Sequence, residues 1–299
     1  MHHGLLRLVL ICGLFAVPML PSLAQDYGDT PYVQTPQVVV DKMLELAKVT
    51  KNDYLIDLGS GDGRMIITAA KRYGARGFGV DLNKNLVTLA NRNAAKMGVA
   101  GRAVFYERDL HETDITQADV LTIYLLPEVN LMVRPRILDL KPGTRLVSHD
   151  YGFGEWPPDV ELIMDAPGKP VGRDQKSKVM YWVVPSRIAG KWVWQDGNSV
   201  ERFYELQIDQ VFQKISGTMS FGGRSAKIED AVLTGDNLRF TATLEMGGKP
   251  VRHEFSGKIV NNAISGEVRR GGAAEAWNAT RTELREARMT DLNPGIMAR

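Results

Sequence analysis

Asp57-Leu58-Gly59-Ser60-Gly61-Asp62-Gly63 is the stretch on which the fold turns. It follows Tyr54-Leu55-Ile56, an apolar run bounded by Asn52-Asp53, so it begins as a buried strand. Residues 65–72 then suit a helix. A strand, a glycine turn and a helix in that order form a ligand cradle, because glycines let the chain turn sharply and let a ligand touch the backbone. A dinucleotide loop needs a third glycine where this chain has Arg64, and Gly63 comes one residue early. A pyrophosphate also wants uncompensated N–H donors at the helix start. Here Asp57 and Asp62 flank the turn. That charge suits a cationic ligand.

Working outward, the pattern repeats. Gly77 to Val80 reads as a second strand and is followed by Asp81-Leu82-Asn83. Leu86, Ala90, Ala94 and Met97 then recur at helical spacing. Strands are expected at 103–106, 120–125 and 144–148, with two more at 160–164 and 178–184. A helix is expected from Pro127, bent or ended by Pro135. Alternating strands and helices predict a Rossmann-like α/β fold, a parallel sheet with helices on both faces. Asp81 falls where an acid accepts both hydroxyls of a ribose. Asp109-Leu110 follows the third strand, where an acid accepts from an adenine amino group. An ammonium and a sulfonium at one end and adenosine at the other describe S-adenosylmethionine. Each acid taken singly is equally a helix N-cap or a solvated loop residue.

Beyond Pro185 the period changes to two. Tyr204, Leu206 and Ile208 alternate with polar residues, as do Leu238, Phe240, Ala242 and Leu244. Turn signals such as Gly222-Gly223, Gly247-Gly248 and Gly271-Gly272 recur. A small antiparallel all-β domain of about eight strands, barrel or sandwich, is therefore expected. Its tryptophans Trp192, Trp194 and Trp277 either fill its core or face a surface ligand. The expected boundaries are a leader over 1–24, the α/β domain over 25–187, the β domain over 188–283 and a charged tail over 284–299.

Residues 31–159 resemble the seven-strand, class I methyltransferases. They are most similar to the mitochondrial lysine methyltransferases of the ATP synthase c subunit and the adenine nucleotide translocase. Pro31-Tyr32-Val33-Gln34-Thr35-Pro36, Asp57 to Arg64, Gly79 to Asn83, and Leu125-Leu126-Pro127-Glu128 carry the likeness. The resemblance implies S-adenosylmethionine as cofactor, bound by Tyr32, Thr35, Asp57, Gly59, Ser60, Gly61, Asp62, Asp81, Leu82, Asn83, Asp109 and Leu110. It places Tyr124 to Glu128 beside the transferred methyl, with Tyr124 and Glu128 as candidate catalytic residues. It also implies a lysine acceptor on a protein. Members of that family hold an N-terminal membrane segment and lack the β domain. The β region instead resembles a module of secreted bacterial proteins, opening Gly190-Lys191-Trp192 and closing Ala276-Trp277-Asn278-Ala279-Thr280-Arg281.

A lysine amine must lose its proton before it attacks, so acids and bases at the strand ends matter. Tyr124, Glu128, His149 and Asp150 are the candidates, and Tyr151 to Pro158 is aromatic and glycine-rich beside them. His149 reads equally as a strand-end residue and Glu128 as a helix-start acid.

The 299 residues, 44% hydrophobic and 24% charged, exclude a disordered or coiled-coil chain. A net charge of +2 argues against broad nucleic-acid binding. The single cysteine, Cys12, lies in the leader, and His111, His149 and His253 lack metal-ligand spacing, so no disulfide or metal site is expected. Arg7, the apolar run Leu8 to Val17 and the ending Ser22-Leu23-Ala24 read as a secretory signal cleaved before Gln25. The run is shorter than the roughly 20 residues of a membrane-spanning helix, so a mature chain without a stable span is expected, periplasmic or secreted. A buried N-terminal helix and a start at Met19, which would leave the protein cytoplasmic, are the other readings. Export conflicts with a cofactor made in the cytoplasm. A non-catalytic binding protein that keeps the fold, and a small-molecule methyltransferase, therefore stay as rival functions.

Overall fold

The computed structural model describes residues 32–195, 197 and 203–289. The expected leader lies outside them, as does the tail beyond Met289. The first half runs α1 (Gln37–Leu46), β1 (Tyr54–Leu58), α2 (Arg64–Thr68), β2 (Arg76–Asp81), α3 (Lys84–Lys96), β3 (Ala103–Glu107), β4 (Val120–Ile123), α4 (Pro127–Leu138) and β5 (Arg145–His149). β6 (Val160–Asp165) and β7 (Lys176–Val183) complete one seven-stranded sheet in the order β3-β2-β1-β4-β5-β7-β6. β1 to β5 are parallel and β7 is antiparallel to both neighbours. That order makes β1 and β4 adjacent at the centre, where the chain reverses its direction across the sheet. Ligands bind at such a switch point, outside the carboxyl ends of the strands.

Both faces of the sheet are apolar, as doubly covered strands require. Val40, Met43 and Leu44 of α1 pack on one face with Ile66 and Phe105. Val133 and Ile137 of α4 pack on the other with Leu121, Trp156 and Trp182. α2 continues into one π-helical turn, Ala69–Tyr73, and ends on Gly74 at φ 73°. Of the bend or end expected at Pro135, the end does not occur: α4 passes through the proline to Leu138. Side chains on both flanks of the proline hold that turn. Arg134 Nη1 donates to Phe153 O at 3.0 Å, and Arg136 donates to the carbonyls of Leu110, His111 and Thr113.

The second half is all antiparallel. β8 (Gly190–Gln195), β9 (Phe203–Val211), β10 (Lys214–Phe221), β11 (Arg224–Lys227), β12 (Glu229–Thr234), β13 (Asn237–Met246), β14 (Lys249–Val260), β15 (Ala263–Arg270) and β16 (Ala273–Leu284) form a meander. The order β11-β10-β9-β8-β16-β15-β14-β13-β12 joins the first strand to the last. β11 and β12 are one strand broken at Ile228, whose N–H bonds Gly217 O at 3.0 Å. One side of the break pairs β10 and the other pairs β13. The expected eight strands thus close into a barrel. Trp192, Trp194, Trp277, Phe240 and Phe255 are buried in its core, which agrees with the first of the two tryptophan readings. The segment after β16 is docked as far as it is described: Arg288 bridges Val211, and Met289 is buried.

Candidate functional site

The site grows from the carboxyl edge of β1, β2, β4 and β5. The glycine turn has φ of 80°, 53° and 83° at Gly59, Gly61 and Gly63, a region that side chains other than glycine rarely adopt. A Cβ on Gly59 would lie 2.8 Å from Leu125 Cδ2, so the loop after β4 rests on the glycine turn. Leu58 pairs with Ile123, which brings Tyr124 next to that turn. Asp81 ties the turn to β2: its Oδ2 accepts the Gly61 N–H at 3.0 Å and its Oδ1 the Asn83 N–H at 2.9 Å. Asn83 Oδ1 caps α3 through the N–H groups of Asn85 and Leu86. Leu82 is 69% exposed beside this carboxylate. Asp109 Oδ1 accepts the His111 N–H at 2.7 Å, and Leu110 is half-buried.

Asp57 is buried, with its Oδ1 accepting from the Thr122 hydroxyl at 2.6 Å. Burial, opposed by that bond and reinforced by the charges of Asp81 and Asp62, pushes its carboxyl up to about 7. A buried acid raised by other acids is a place that a cation stabilises. The ammonium and sulfonium of S-adenosylmethionine fit this edge, and a pyrophosphate does not. Asp62 behaves differently from Asp57. Burial opposes its ionisation, yet bonds from Arg64 and Gln34 hold it below the ordinary value. Arg64 Nη2 lies 2.7 Å from Asp62 Oδ2, and its Nη1 reaches Thr35 O at 2.5 Å. Arg64, whose place in the sequence read only as a missing glycine, clamps the segment ahead of α1 onto the turn.

A second group of side chains gathers at the ends of β4, β5 and β7. His149 is fully buried, 3.2 Å from Thr35 Oγ1 through Nδ1 and 2.8 Å from Ser177 Oγ through Nε2. Burial lowers its imidazole to about 4, against the pull of Asp150 and with the push of Lys169, so it is neutral at pH 7. The Tyr124 ring packs on it with centroids 4.0 Å apart. Tyr124 Oη lies 3.4 Å from Asp150 Oδ2, and burial and that charge raise the phenol above its usual value. Tyr32 is exposed, as is Glu128 on the first turn of α4. Thr35, Tyr124, His149 and Asp150 are brought together; Glu128 makes no described bond to them. Thr122, which joins Asp57, and Ser177 and Lys169, which join this group, carried no signal in the sequence, because only strand pairing or a loop brings each to its partner.

Residues 57–160 match a family model described as the ANTKMT methyltransferase domain. A protein-lysine N-methyltransferase of Saccharolobus islandicus is 47% identical over 130 residues, which are 43% of this chain and 81% of that protein. The chain belongs to this methyltransferase family. S-adenosylmethionine is accordingly its methyl donor. The mouse lysine N-methyltransferase of the ATP synthase c subunit is 32% identical over 130 residues, 43% of this chain and 52% of its own, so the methyltransferase spans about half the length of that relative. An RNA methyltransferase from Salinibacter ruber, solved with S-adenosyl-L-homocysteine, is 46% identical with a TM-score of 0.47, covering 52% of this chain and 96% of that one.

Proposed function

We propose that this enzyme transfers the methyl group of S-adenosylmethionine to a lysine amine of a protein substrate. The observation that carries the reading is the 47% identity to a protein-lysine N-methyltransferase across most of that protein's length. The acceptor side of the site supports it, since Tyr124 and Tyr151 stack with centroids 6.3 Å apart beside the Asp150 carboxylate. Aromatic faces and an acid receive an alkylammonium.

S-adenosylmethionine supplies, when bound, an electrophilic methyl on a sulfonium. The chain's residues do the positioning, which carries most of an in-line displacement. Asp57, with the N–H groups of the 59–63 turn, receives the amino acid end, and Asp81 the ribose. Leu82, Asp109 and Leu110 receive the adenine. Arg64 and Asp62 hold Thr35 over the site. Tyr124, protonated at neutral pH, orients the acceptor, and Asp150 is the carboxylate within reach of the amine's proton. Glu128, exposed on the first turn of α4, is the acid left to meet the substrate's flanking residues.

The reading includes export with Gln25 as the mature N-terminus, which intact-mass measurement of the protein from its own cell tests. The function is tested by incubating enzyme and methyl-labelled cofactor with an extract of the source cell, then digesting the product to amino acids. Label in methyllysine is expected. Label confined to RNA, lipid or a small metabolite refutes the acceptor, and no transfer at all favours a binding protein.

A further inference from the structure

Lys169 lies in the loop between β6 and β7, at the same sheet edge as Tyr124 and Asp150. Its side chain is only 9% exposed, and its ammonium sits 2.7 Å from Asp150 Oδ2 and 2.6 Å from Lys176 O. The Tyr124 hydroxyl reaches the same Oδ2 at 3.4 Å. An ammonium and the candidate catalytic phenol therefore share one carboxylate oxygen.

Two features show that this arrangement is built. Lysine is almost never buried unless paired, because taking its charge out of water is costly before pairing. The loop nonetheless turns this lysine inward and braces it on both sides: Gly168 N–H donates to Gln175 Oε1 at 2.7 Å, and Gln175 Nε2 to Lys169 O at 3.2 Å. Asp150 is preset as well. It stands at φ 61°, its N–H donates to Lys178 O at 2.7 Å, and its Oδ1 accepts the Lys178 N–H at 3.0 Å. Only Oδ2 is left to face the ammonium, the phenol and the edge of His149 at 3.5 Å.

The geometry points to the Asp150 carboxylate and the Tyr124 hydroxyl as the ammonium subsite of the methyl acceptor, with Lys169 as its intramolecular occupant. The β6–β7 loop offers a lysine of the chain itself where a substrate lysine is received, and the substrate must displace it. The assignment rests on the lysine reading above for its biological sense, but the subsite binds an alkylammonium whatever the final acceptor is. A tethered competitor acts at an effective concentration of about millimolar, so it raises the apparent KM for a protein substrate.

The test uses the full-length chain carrying Lys169→Ala, with n-butylammonium chloride as the probe and n-butanol as the uncharged control. n-Butylammonium should raise the melting temperature of this variant by several degrees, saturating at about millimolar concentration. It should do nothing for the parent protein or for the double variant Lys169→Ala, Asp150→Asn. The KM for a protein acceptor should fall about fivefold or more in Lys169→Ala. If that variant folds poorly, Lys169→Met keeps the stem without the charge and should show the same fall in KM. No saturable shift with n-butylammonium, or a KM that stays or rises in both variants, overturns the subsite and leaves Lys169 as a structural brace. Label found in RNA or lipid would instead remove the lysine reading while n-butylammonium still bound.

Discussion

Trp156, on the segment after β5, and Phe212, in the turn between β9 and β10 of the barrel, stack with ring centroids 6.1 Å apart and planes 15° off parallel. Gln213 extends the contact: its Oε1 accepts from Trp156 Nε1 at 3.0 Å and its Nε2 donates to Pro157 O at 2.6 Å. The barrel thus supports the segment that carries Tyr151. Phe212 is 2% exposed, so Phe212→Ala should destabilise the chain by about 3 kcal/mol. A lower urea midpoint reports that loss, and an unchanged midpoint would deny the barrel any part in this core. Ending the chain at residue 187 removes Phe212 and Met289 together, and the fragment should be less stable than Phe212→Ala.

Asp57 and His149 set opposing pH dependences. The native Asp57 keeps its proton to about pH 7 but loses it near 3.8 when unfolded, so charging it makes stability fall as pH rises between those values. Native His149 takes up a proton only near pH 4 against 6.5 unfolded, so its contribution falls as pH drops through that window. Each slope is at most about 1.4 kcal/mol per pH unit, and they oppose each other. Asp57→Asn should leave stability rising from pH 4 to 6.5, and His149→Gln should leave it falling. Urea titrations at several pH values read both signs.

Cofactor affinity should follow the ionisation of Asp57, increasing up to pH 7. It should decline again near pH 8, where an α-amino group gives up its proton. Asp57→Asn should flatten the rising limb in calorimetric titrations. Asp81→Ala should weaken S-adenosylmethionine at least about tenfold, because bonds to a charged acceptor are each worth about 1.5–3 kcal/mol. Equal affinity in that variant would reject the ribose role.

Arg64→Ala should lower affinity by about tenfold as well, although its side chain faces Asp62 and Thr35 O. The variant frees the segment ahead of α1 and leaves Asp62 uncompensated beside Asp57. Arg64→Lys, with a point charge in place of a fork, should recover only part of the loss. Calorimetry on the two variants separates the clamp from charge alone.

Methyl transfer to lysine should accelerate from pH 7 to 9 when the substrate is below saturation, because about 1 in 2,500 amines is neutral at pH 7 at the unperturbed pKa. A flat profile in initial-rate measurements would indicate an acceptor that does not titrate there.

Much of the local structure was legible from the residues in order. The 57–63 turn, the acids at the ends of β1 and β2, and the switch of period after Pro185 are set by backbone preferences and by which side chains avoid water. Those forces act over a few residues, so the strands, the helix starts and the glycine turn follow from them. Pro135 shows the limit: its local preference against helix was overruled by Arg134 and Arg136 reaching distant carbonyls. Barrel closure, the burial of His149 between Thr35 and Ser177, the Arg64 clamp and the Lys169–Asp150 pair were decided by the tertiary structure alone. Each joins side chains that are placed by sheet order or loop path, and hydrogen bonds and ion pairs act only over a few ångströms. Which acid is buried, and which lysine meets Asp150, is settled only once the chain has folded.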